Sequence, residues 1–82
     1  MDDINAFIGK LEVEFDEIEK GRLIPSLGYK DMEGWSSMKA LILIATIDSE
    51  YGILLNGEDI SKASTLQDIY DIVKSKRNNK IT

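Results

Sequence analysis

The stretch from Gly34 to Gly52 most constrains what this chain can fold into. A glycine and a tryptophan lead into two serines, a long aliphatic run and a closing glycine. Serine before such a run can accept backbone N–H groups that a first helical turn leaves unpaired. Met38, Leu41, Ile44, Ile47 and Tyr51 recur at spacings of three and four, the period of one helix face. Gly52 suits a helix C-terminus. The spacing predicts a helix starting near Ser36 or Ser37. Those five side chains point inward, with Leu43 beside them and Lys39, Ile42, Ala45, Asp48 and Ser49 outward. Ile42, with Ala45 and Met38, makes a candidate docking patch.

The flanking segments supply partners for that helix. Ile4, Phe7, Ile8, Leu11, Phe15 and Ile18 form a stripe for a first helix that fades near Glu19 or Lys20. Asp2 or Asp3 can cap it, and Lys10, Glu12, Glu14 and Glu17 make its solvated face. Residues 21–35 form a long loop with Pro25 and interspersed apolar side chains. Loops of that length in small domains are functional or pinned to the core. Lys30 to Glu33 can form a short helical turn. Ile53 to Leu55 is an extended connector, and Asn56-Gly57 is a turn signal. Glu58 to Ala63 suits a helix of one or two turns, with Ile60 and Ala63 inward. Thr65 and Asp68 resemble a capping box ahead of a last helix that buries Leu66, Ile69, Tyr70 and Val73. No run pairs convincingly as a strand. The expected fold is all-α, with residues 1–76 as one domain and 77–82 as a polar, frayed tail.

Composition narrows the function. At 82 residues the chain is one domain that buries only about 60% of its unfolded surface. It has no histidine and no cysteine, hence neither the commonest general base nor thiolate metal ligands. The net charge of −5 argues against nucleic acid or an anionic membrane as the main partner. Lysines from Lys74 to Lys80 suit the negative end of a last helix. No apolar run is long enough to span a bilayer, and no signal pattern opens the chain. A cytoplasmic protein that acts as a monomer is expected.

Serine catalysis lacks its base, because Lys39 points away from Ser37 at helical spacing. Neighbouring carboxylates such as Asp48 and Glu50 diverge on a helix. Residues 56–59 lack the alternating ligands of a calcium loop. One chemistry does suit the start of the second helix. A phosphate ester on a serine there meets unpaired N–H groups and the positive end of the helix dipole. A serine at that place is also an ordinary cap, and the residues alone leave both roles open.

The order of features is distinctive. A helix and a long loop with a proline lead to Trp35-Ser36-Ser37-Met38. An aliphatic helix then closes on Asp48-Ser49-Glu50-Tyr51-Gly52-Ile53, followed by Gly57-Glu58-Asp59-Ile60 and Thr65-Leu66-Gln67-Asp68-Ile69. From about Ile4 to Lys76 this resembles the acyl carrier proteins, four-helix domains of fatty acid, polyketide and related pathways. The resemblance is most specific from Trp35 to Ile72. It implies a carrier-type four-helix bundle with a short third helix. It also implies 4′-phosphopantetheine joined to a serine fourteen residues before an aromatic-Gly pair, which is Ser37 counted from Tyr51.

The resemblance further implies partners. These are a phosphopantetheinyl transferase and the enzymes that load and transfer acyl or aminoacyl groups. By position it assigns docking to Trp35, Ser36, Met38, Lys39 and Ile42, and the path of the arm to Ile60 and Ala63. The domain itself catalyses nothing. Ser36 stands where the family has aspartate, and Lys39, Ile42 and Ala45 replace an acidic face. Those departures point to a specialised pathway. They also support an alternative: a carrier-like domain that is never modified and works as an interaction subunit.

Overall fold

The structure, a computed structural model, describes residues 2–15, 21–32 and 34–78. Among them are helices α1 (Ile4–Glu14), α2 (Ser37–Tyr51), α3 (Gly57–Lys62) and α4 (Leu66–Asn78), a 3₁₀ turn at Tyr29–Asp31, and no strand. None of these helices is long and apolar enough to cross a membrane.

Asp3 starts α1 by accepting the Ala6 N–H at 3.0 Å. Phe7, Ile8 and Leu11 are buried along one stripe. The helix ends at Glu14, short of the expected Glu19 or Lys20. Phe15 leaves helical geometry (φ −108°, ψ 55°) where its ring enters the core. Val13 and Phe15 are also weak helix formers, so little propensity opposes that exit. Ile18, Glu17 and the expected fade at Glu19–Lys20 lie outside the described residues. Lys10 is more than a solvated charge. Its ammonium sits 2.8 Å from Asp2, 3.6 Å from Glu50 and 4.7 Å from the centre of the Tyr51 ring.

Helix α2 begins with Ser36 as its cap and ends on Gly52, whose left-handed backbone (φ 66°) lets its N–H reach Asp48 O at 2.8 Å. Its phase agrees with the expected one at Ile47 and differs from it at Met38 and Leu41. Leu43, Thr46 and Ile47 are buried, whereas Met38 and Leu41 are 71% and 64% exposed. Ile44 and Tyr51 are half-buried, and Ile42, expected outside, packs half-buried against the core. The Thr46 hydroxyl tolerates burial by donating to Ile42 O at 2.8 Å.

The connector 53–55 buries Ile53 and Leu55 and exposes Leu54, the alternation of an extended segment. Asn56-Gly57, read as a turn, instead opens α3. Asn56 and Asp59 form a reciprocal capping box. At α4 the expected box is present: Thr65 Oγ1 accepts the Asp68 N–H, and the Asp68 carboxylate accepts those of Ser64 and Thr65. Leu66, Ile69, Tyr70 and Val73 face the core. The helix runs through Arg77 and Asn78, past the expected start of the tail. Residues 79–82 lie outside the described residues.

The long loop is pinned at several points. Leu23 and Tyr29 are buried. The carbonyls of Pro25 and Leu27 accept the N–H groups of Gln67 and Leu66, covering the first turn of α4. The short turn forms at Tyr29–Asp31, one residue earlier than expected.

Candidate functional site

The start of α2 gathers several of the residues singled out in the sequence. Trp35 is half-buried, its ring 5.1 Å from that of Tyr29, which fixes the end of the loop. Ser36 then adopts extended backbone, and its hydroxyl accepts the Lys39 N–H at 3.4 Å. Its carbonyl accepts the Ala40 N–H, the first bond of the helix. Ser37 follows as the first helical residue, with an exposed side chain. The two serines therefore differ in geometry: one hydroxyl caps, and the other stands at the surface.

Past Ser37 the outer face of α2 is apolar. Met38, Leu41 and Ala45 are all exposed and lie three and four residues apart. Lys39 is half-buried on the flank, its ammonium 6.0 Å from the centre of the Phe15 ring. Ile42 borders an open groove with Glu14, Ala45, Thr46 and Ser49. Leu41 belongs to this face although its spacing suggested the core.

Ile60 and Ala63 do not join that surface. They are buried, 6% and 3% exposed. Their link to the α2 start runs through Tyr29, whose ring meets Trp35 and whose hydroxyl donates to Ile60 O at 2.7 Å and Ala63 O at 3.3 Å. Burial, helped by Asp68, pushes the Tyr29 phenol up to about 12, so it remains a donor across the physiological range. In the sequence Tyr29 counts only as one of the apolar side chains of the long loop; its hydroxyl was the signal that set it apart from Leu23, Leu27 and Met32.

Beside Tyr29 and Trp35 lies an apolar gap of about 10 Å³, bordered also by Phe15, Met32, Leu43 and Leu66. That is about the least space a water needs, and without polar partners the gap stays dry. Among the described residues no group of three or more acids could hold a metal ion. Electrostatically, the site is a helix N-terminus equivalent to about half a positive charge. Its Ser37 and Met38 N–H groups precede the first intrahelical bond, which the Ala40 N–H makes to Ser36 O.

Compared with known protein families and with solved structures, the chain matches none.

Proposed function

We propose that this chain is a carrier domain of the acyl-carrier type, bearing 4′-phosphopantetheine on Ser37. The observation that carries the reading is the division of labour between the serines. Ser36 caps α2 through its hydroxyl, and Ser37 presents its own at the first helical position. The residues suit a phosphodiester there. The first-turn N–H groups and the helix dipole favour negative charge, and the Trp35–Tyr29 contact holds the chain that leads into the serine. The bound arm would supply a thiol that holds an acyl or aminoacyl group as a thioester. The chain's own residues position and present that arm. Met38, Leu41, Ala45 and the half-buried Ile42 form the surface on which transferring and loading enzymes dock, and the domain catalyses nothing alone.

Incubation with coenzyme A and a broad-specificity phosphopantetheinyl transferase tests the reading. Intact mass should rise by one arm, and Ser37→Ala should abolish the gain. Modification that survives Ser37→Ala would move the site to Ser36.

A second reading rests on Ser36 itself. It places a neutral hydroxyl where the resembling family carries a carboxylate, which removes a charge a transferase would engage. On that reading the domain is unmodified, and the exposed face of α2 binds a protein partner. No mass gain in the wild-type chain, with a gain in Ser36→Asp, selects it.

A further inference from the structure

The loop and α3 meet at a contact that the carrier reading does not use. The Tyr29 hydroxyl is shared between Ile60 O and Ala63 O, and the Lys30 ammonium donates to Ser61 O. Two of these carbonyls lie in the last turn of α3, where no further turn supplies N–H groups to donate to them, and the third belongs to its C-cap. A helix of six residues is far below the length that is stable alone in water. Its other end is fastened independently. Asn56 and Asp59 cap each other, and the Asp59 carboxylate sits 3.1 Å from the Lys76 ammonium on α4. Thus α3 is tied to α4 at its start and to the loop at its end. The loop in turn is moored to α4 through Pro25 O and Leu27 O.

We propose that Tyr29 and Lys30 form a latch on the C-terminal end of α3. When it releases, α3 opens about its Asn56–Asp59–Lys76 end and carries Ile60 and Ala63 out of the core. Helices α1 and α2 stay packed on each other through a contact at the far end of α2 from the latch, where the Phe7 ring lies 5.7 Å from that of Tyr51. The motion is a local opening, the kind that proceeds below the free energy of global unfolding. It uncovers apolar side chains that the closed state hides, and it does so whether or not Ser37 carries an arm.

Amide hydrogen exchange read by mass spectrometry tests this on the full chain. Lys30→Ala removes the ammonium from an exposed position, and Tyr29→Phe keeps the ring while removing the hydroxyl. Residues 58–63 should exchange several-fold faster in Lys30→Ala and about tenfold or more faster in Tyr29→Phe. Residues 43–51 should be unchanged in Lys30→Ala. Equal acceleration in both segments, or none in 58–63, overturns the latch. Should Tyr29→Phe fail to fold, Lys30→Ala decides alone.

Discussion

Tyr70 closes the bundle onto the start of the chain: its hydroxyl donates to the backbone carbonyl of Asp2 at 2.7 Å, across 68 positions of sequence. The Asp2 side chain is held as well, accepting from Lys10 at 2.8 Å and from the Tyr51 hydroxyl at 3.0 Å. Phe7 packs within this cluster, 5.7 Å from the Tyr51 ring and edge-on to Tyr70 at 5.3 Å. One end of α2 is thus locked by aromatic and charged contacts, and the other presents Ser37.

The cluster sets a pH dependence. The Lys10 hydrogen bond, then that of Tyr51, holds the Asp2 carboxyl below its usual 3.8. A lowered folded value means stability that is present above the unfolded pKa and lost as pH falls through the folded one. Asp2, in turn, raises Lys10 above 10.5, and burial followed by Asp2 pushes Tyr51 up to about 12. Those contributions are complete below the unfolded values and fade as pH climbs through the folded ones. With no histidine in the chain, the melting temperature should be flat between about pH 5 and 7. In Asp2→Asn the difference in urea midpoint between pH 7 and about pH 3, below the usual 3.8, should shrink. An undiminished difference would remove Asp2 from the acid response.

The phase of α2 is checked by a pair of truncations. Ile47 is fully buried, and Ile47→Ala should cost about 2–5 kcal/mol, enough to threaten folding in a domain this small. Leu41→Ala, on the exposed face, should stay within about 0.5 kcal/mol. Comparable losses in urea titrations would contradict the arrangement.

Two glycines should respond in opposite directions to alanine. Gly9 lies inside α1 with open space around an added Cβ, so Gly9→Ala should stabilise by about 0.5–1 kcal/mol. Gly52 needs its left-handed backbone, and Gly52→Ala should cost about 1 kcal/mol. Thermal melts of both variants would show the sign.

The cap of α4 gives a fourth measurable effect. Thr65→Ala removes the oxygen that accepts the Asp68 N–H at 3.2 Å. A loss of about 1 kcal/mol is expected, read as a fall in melting temperature of about 4–8 °C. A melting point unchanged to within a degree would show that solvent replaces the cap.

Much of this was legible because it is local. Thr65 with Asp68, Asp3 with Ala6, and Gly52 beyond Tyr51 are cap chemistry written within a few residues. The phase of α2 was legible in part: Ile47, expected inward, and Leu43, expected beside it, are buried, whereas Met38 and Leu41 are exposed. Leu41 to Ile44 puts aliphatic residues on every side of the helix, so the apolar spacing there carries no direction. Asn56-Gly57 misled because the same two residues suit a turn and a helix start. Only Asp59, returning to the Asn56 N–H, separates the two. The role of Tyr29 was hidden by distance, since its carbonyl partners lie 31 and 34 residues downstream. At the candidate site the sequence placed Ser37 at a helix start. The division of roles between Ser36 and Ser37 became physical only with the backbone in view.

The mooring of α4 has a consequence for how the domain is made. Pro25 and Leu27 hold their carbonyls toward N–H groups of Leu66 and Gln67. During synthesis the loop therefore waits for its counterpart while most of the domain has already emerged. Contacts that span so much sequence form late and slow the search for the native state. Until α4 leaves the ribosome, the core lacks the side chains of Leu66, Ile69, Tyr70 and Val73, and the apolar faces they cover stay open to water.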